Sequence, residues 1–162
     1  MSPKKEKDYY PRLKSLFDEL LKPRFAEFHV EITASKTFSS KLKSEIPDNR
    51  NLIFRFLRDA RPDITGFIKE QYSKVFFIVE FKKGTLRLDD VYQARKYAEL
   101  FDAKYAFLVT TEEIPEEMMR LSKIVFALFS LPAYGKLTLV RFDDQQEQFV
   151  DWFGNNPFHD SN

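Results

Sequence analysis

The spacing of apolar residues changes period several times along the chain, and each change marks an element. Leu13, Leu16, Phe17 and Leu20 fall on one face at helical spacing, so residues 10–22 predict an amphipathic helix that Pro23 ends. Phe28, Val30 and Ile32 then alternate with His29, Glu31 and Thr33, the two-residue period of a half-buried strand. Residues 34–51 are polar, with Lys36, Lys41 and Lys43 among serines, and predict a long loop or a short helix. Residues 52–59 fit strand and helix equally well. Two β-rich runs, 63–69 and 74–81, flank the polar stretch 70–73 and read as an antiparallel hairpin. The second run holds Val75, Phe76, Phe77, Ile78 and Val79 in succession; it is apolar on both faces and predicts a central strand.

Helical spacing returns at Leu88, Val91, Tyr92, Ala94, Tyr97, Ala98 and Phe101, closed by Asp102 and Ala103, and residues 105–109 predict the next strand. Glu112 and Glu113 open a further helix with Pro115 in its first turn, running past Met118, Leu121, Val125 and Leu128 to a stop at Pro132. Residues 136–142 alternate as a last strand. Trp152, Phe149 and Phe153 then predict a terminal segment packed on the core. The order helix, strand, hairpin, helix, strand, helix, strand predicts an α/β (α+β) sandwich with a mixed central sheet flanked by helices. With no internal repeat or low-complexity tract, residues 1–162 read as a single domain.

Composition narrows the class. No run approaches the roughly 18 apolar residues of a membrane span, and the lysine-rich residues 1–8 lack the apolar core of a secretory signal, which predicts a disordered basic start and a cytoplasmic chain. Zero cysteines exclude iron–sulfur clusters and thiolate zinc sites. The net charge of +1 hides an asymmetry: residues 143–162 hold five acids and no Lys or Arg, so residues 1–142 carry 26 bases against 20 acids, or +6. A basic body with an acidic C-terminal segment is compatible with phosphate contacts.

Candidate chemistry centres on Pro62-Asp63 and, seventeen positions on, Glu80-Phe81-Lys82. Residues two apart on a strand share a face, so Glu80 and Lys82 point one way while Val79 and Phe81 enter the core on the other side. Asp63 on the neighbouring hairpin strand can lie beside them. Two carboxylates on strands suit Mg²⁺, which takes one or two protein carboxylates together with water and substrate phosphate. A lysine alongside can orient or deprotonate the attacking water, or balance charge developing on phosphorus. The plainer alternative is a solvated Glu–Lys pair, common on strand surfaces. Against it, these charges end an otherwise apolar strand, where ionic groups are costly.

Pro62-Asp63 with Glu80-Phe81-Lys82 resembles the motif of the PD-(D/E)xK nuclease superfamily, whose fold is the restriction-endonuclease-like three-layer sandwich. Gln93-Ala94-Arg95-Lys96-Tyr97 looks like the Gln-x-x-x-Tyr element of RecB-like members. Residues 61–64, 78–82 and 104–110 are similar to the amino-terminal nuclease domain of type I restriction enzyme R subunits. The resemblance covers residues 60–111, about a third of the chain. It implies a Mg²⁺-dependent DNA nuclease, with Mn²⁺ able to substitute, in which Asp63 and Glu80 bind metal, Lys82 assists the water, and Gln93 with Tyr97 positions the DNA backbone. Many members add a glutamate from the first helix; Glu19 is the candidate here, with Asp18 or a plain solvated face as alternatives.

One domain of this length leaves no room for an ATPase motor, so a separate targeting or motor subunit, or a homodimer, is the expected partner beside DNA. The rival functions are an inactive nuclease-fold domain that binds without cutting and a subunit-interaction module marked by its 18 phenylalanines. Lys83, Arg87, Arg95 and Lys96 surround the predicted site and read as phosphate contacts or as ordinary solvated cations. His29 and His159 lack a second ligand at metal spacing and read as structural or solvated, and Gly84 reads as a turn after the strand.

Overall fold

A computed structural model of the protein describes residues 3–154 and 156–158. Six strands form one mixed sheet in chain order: β1 (Phe28–Ile32), β2 (Ile64–Lys69), β3 (Lys74–Lys82), β4 (Tyr105–Thr110), β5 (Lys136–Asp143) and β6 (Gln148–Phe153). β1, β2 and β3 make an antiparallel meander; β3, β4 and β5 run parallel, and β6 returns antiparallel. Parallel neighbours need crossovers, and helices supply them: α4 (Leu88–Phe101) between β3 and β4, α5 (Glu116–Ile124) between β4 and β5. Helix α1 (Glu6–Leu21) precedes the sheet, and α2 (Ser40–Ser44) and α3 (Ile53–Phe56) lie in the β1–β2 connection. No helix among the described residues is long and apolar enough to cross a membrane.

Strand alternation divides the core into two layers. Val79 and Phe81 face α1, joining Tyr9, Leu13, Phe17 and Leu21 with Phe77, Phe107 and Phe142. Phe76 and Ile78 face the opposite way, against Val91, Ala94, Tyr97 and Phe101 of α4 and Ile53 and Leu57 near α3. β3 is therefore central and covered on both faces, as its unbroken apolar run requires. Each fully buried Phe or Leu in these layers contributes roughly 1.5–3 kcal/mol.

Three boundaries differ from the sequence expectation. Helix α1 begins at Glu6, inside the stretch expected to be disordered, because the Lys5 N–H donates to Asp8 Oδ2 at 2.8 Å and caps a turn that precedes Pro11. The helix expected from Glu112 to Pro132 breaks: α5 ends at Ile124 and a 3-10 turn covers Phe126–Phe129. The terminal segment is a sixth strand. Phe149 and Trp152 do pack on the α1-side core, but a register shift at Arg141/Phe142 and the uneven apolar pattern of residues 148–153 hide the strand period.

Gly66 sits where β1 and β2 meet above Phe77. A Cβ there would lie 2.3 Å from the His29 carbonyl oxygen and 2.4 Å from the Phe77 ring, both held inside the sheet. Gly66→Ala is expected to lower unfolding free energy by on the order of 3 kcal/mol, read by denaturant titration; a loss below about 0.5 kcal/mol would show that the strand relaxes freely.

Candidate active site

The hairpin register pairs Ile64 with Val79, so the next pair along would be Asp63 with Glu80. The ladder stops there and side chains take over. The Asp63 N–H donates to Glu80 Oε1 at 3.1 Å, and the Phe81 N–H donates to Asp63 Oδ2 at 2.7 Å. Two backbone donors at the end of the pairing are thus satisfied by two carboxylates. The Asp63 carbonyl oxygen accepts from the N–H groups of Thr33 (2.9 Å) and Ala34 (3.2 Å), and Arg61 Nε donates to the Thr33 carbonyl at 2.9 Å. The end of β1 therefore pins the segment that carries Asp63.

Glu80 is buried and Asp63 is half-buried beside it. Glu80 is 8% exposed, and among the described residues no Lys, Arg or His forms an ion pair with it or with Asp63. Burial pushes the Asp63 carboxyl up to about 6, against the lowering effect of the Phe81 N–H and the Tyr10 hydroxyl. Burial, then the charge of Asp63, pushes Glu80 well above the ordinary glutamate range. A desolvated carboxylate pair without a countercharge favours uptake of a proton or a cation.

Lys82 lies on the same sheet face as Glu80, one strand repeat further on, with Nζ 3.9 Å from Asp90 Oδ1. Asp90 is fixed in turn: its Oδ2 accepts the Arg87 N–H at 2.8 Å and caps α4. Gln93, exposed on α4, lies beside the Glu80 carboxylate and favours its charged form. Tyr97 differs from expectation. It is on the same side of α4 but only 1% exposed, which puts its ring in the core. Burial, with the charges of Glu80 and Asp63, raises its hydroxyl to about 12.

The first-helix acids also fall elsewhere. Glu19 is largely exposed and pairs with Arg12 at 3.4 Å, and Asp18 pairs with Lys14 at 2.7 Å. Tyr10 is the α1 residue that touches Asp63, at 2.9 Å, and Glu19 lies nine residues further along, about 13 Å down the axis. The acid whose charge acts on both Asp63 and Glu80 is Glu6, one turn before Tyr10. The sequence signal that could have found it is the four-residue spacing of Glu6 and Tyr10 on one helix face.

The surrounding cations have separate uses. Arg95 donates to the carbonyl oxygens of Ala127 (3.0 Å), Leu128 (2.7 Å) and Ser130 (2.6 Å), and so pins the 3-10 turn after α5. Arg95→Ala is expected to cost about 2 kcal/mol of stability in a chemical melt. Unaltered stability would show that these three contacts do not hold the turn. Lys83 donates to the Lys4 carbonyl oxygen, and Lys96 lies 4.8 Å over the Tyr97 ring. Arg87 is exposed beside the site. His29 bonds Glu31 at 2.6 Å and stacks near Phe67, a structural use. His159 lies outside the described residues. Gly84, at φ +124°, makes the turn after β3, and its carbonyl oxygen accepts the Thr110 hydroxyl.

Among the described residues no group of three or more His, Asp or Glu side chains stands ready to hold a metal ion. The two carboxylates still fit Mg²⁺, a hard cation that takes one or two such ligands and fills its remaining positions with water and phosphate oxygens. Phe81 and Tyr10 occupy one lone pair on each Asp63 oxygen, which leaves one on each for a cation or its waters. No family model, curated protein or solved structure matches this chain.

Proposed function

We propose that the protein is a Mg²⁺-dependent nuclease that hydrolyses DNA phosphodiester bonds at Asp63 and Glu80, with Mn²⁺ able to substitute. The observation that carries the reading is the pairing of buried Glu80 with half-buried Asp63 at the end of a sheet ladder, with no cationic partner among the described residues. The Pro62-Asp63 and Glu80-Phe81-Lys82 motif, the first pair leading into β2 and the second ending β3 of a mixed sheet with helices on both faces, supports a restriction-endonuclease-like sandwich.

When bound, the cation polarises a phosphoryl oxygen and makes water a stronger acid. The chain's own residues do the rest. Asp63 and Glu80 supply two anionic oxygens whose directions are set by backbone N–H groups rather than by flexible side chains. Lys82, steered by Asp90, directs its ammonium to the face of Glu80, where it balances charge on the phosphoryl oxygens or holds the attacking water. Gln93 steadies Glu80 and is exposed to reach the DNA backbone.

Incubation with supercoiled, linear and single-stranded DNA, and with RNA, tests the reading. Cutting of DNA in Mg²⁺ or Mn²⁺ that EDTA abolishes is expected; a folded, Mn²⁺-loaded sample that cuts no form would exclude it. A second reading, binding without cleavage through a protein partner, draws on the consecutive exposed residues Ile124, Val125 and Phe126. The 18 phenylalanines no longer support it, because only Phe56 and Phe126 among them are exposed.

A further inference from the structure

The geometry points to Tyr10 as a positioning residue that sets the orientation of the Asp63 carboxylate for a divalent cation, an inference that rests on the metal-centre reading above. A carboxylate turns easily about its terminal torsion, so an aspartate tied at one oxygen swings its other oxygen through a wide arc. Asp63 is tied at both. The Phe81 N–H holds Oδ2 at 2.7 Å and the Tyr10 hydroxyl holds Oδ1 at 2.9 Å, one anchor from the strand and one from helix α1.

Phe81 contributes to both anchors. Its N–H makes the first, and its ring carries the second: Tyr10 packs edge-on against it at 6.5 Å and 88°, while Tyr9 lies over it at 4.7 Å. Phe81 is the middle residue of Glu80-Phe81-Lys82. That position therefore seats the tyrosine that aligns the carboxylate across the hairpin. Each Asp63 oxygen keeps one lone pair, and the two anchors together fix the directions in which those lone pairs point. Second-contact partners of this kind orient metal ligands, and losing one weakens metal affinity by roughly ten to a hundredfold.

Mn²⁺ titration followed by electron paramagnetic resonance reads this without reference to cleavage. The full chain is compared with Tyr10→Phe, Tyr10→Leu and, as the reference for a lost site, Asp63→Asn. Tyr10→Phe keeps the ring on Phe81 and removes only the hydroxyl, so it is expected to raise the Mn²⁺ Kd about tenfold or more while the metal-free protein remains folded and cooperative on heating. Tyr10→Leu is expected to raise the Kd to a similar extent and to melt lower as well, because it also loses the ring packing. A Tyr10→Phe Kd within twofold of wild type, with wild type binding more tightly than Asp63→Asn, would overturn this inference alone. Wild type binding no better than Asp63→Asn would overturn the metal-centre reading and this inference with it.

Discussion

If the protein is the nuclease proposed above, Asp63→Asn is expected to abolish metal-dependent cleavage together with Mn²⁺ binding, whereas Lys82→Ala is expected to keep the metal and lose turnover by on the order of a hundred- to a thousandfold. The two differ because the residues are assigned different work. Asp63 supplies an anionic oxygen whose direction the Phe81 N–H and the Tyr10 hydroxyl fix, so neutralising it removes half of the charge that attracts a cation. Among the described residues Lys82 forms no ion pair with either carboxylate and pairs with Asp90, at 3.9 Å. In the proposed nuclease, its removal would leave both carboxylates and their backbone anchors in place and delete a positive charge from where negative charge would accumulate during hydrolysis. Kinetics at saturating Mn²⁺, paired with metal titrations of both variants, separate the roles. Equal loss of metal affinity in both variants would make Lys82 part of the scaffold rather than of the chemistry.

Glu80→Gln is expected to stabilise the metal-free protein at pH 8 by on the order of 1–2 kcal/mol and to have little effect near pH 4. The sign follows from linkage. Burial raises the Asp63 carboxyl from 3.8 to about 6 and holds Glu80 well above 4.5, so the folded state binds these protons more tightly than the unfolded chain does. Stability from such groups is fully present below the unfolded values. It declines as pH rises from about 4 through 6 and beyond, and above that window the charged pair opposes folding. Glutamine removes one of the two charges and can still accept the Asp63 N–H through its carbonyl oxygen. Millimolar Mn²⁺ is expected to raise the wild-type melting temperature at pH 8 and to leave Glu80→Gln nearly unmoved, because a cation that binds only the folded state stabilises it. A variant less stable than wild type at every pH would mean that the pair already carries internal compensation.

The strands that carry the pair were legible from the sequence for a simple reason. A two-residue period and a four-residue turn leave little freedom in a hairpin, so Asp63 and Glu80 had to end opposite one another. Helix α4 was equally clear: residues 88–101 have strong helical spacing and end at Asp102, which adopts the left-handed conformation that stops a helix. What could not be read was how elements meet. Glu6 and Glu19 both lie on α1, and only its packing on the sheet decides that the turn carrying Glu6 meets the ladder's end. The spacing of Gln93 and Tyr97 placed them on the same side of α4, yet only the depth of packing shows that Tyr97 belongs to the core while Gln93 stays exposed. Tyr10 and Asp90 carried no motif, because their importance comes from contacts across 53 and 8 residues of sequence, respectively.

The most direct test of the proposed metal centre is anomalous scattering from a crystal soaked in Mn²⁺ above pH 7, on the alkaline side of the raised Asp63 carboxyl. The expected result is a single strong peak beside the carboxylates of Asp63 and Glu80, absent from an Asp63→Asn crystal treated in the same way. A crystal with no peak at this pair, whose carboxylates instead share a proton or accept the Lys82 ammonium, would contradict it.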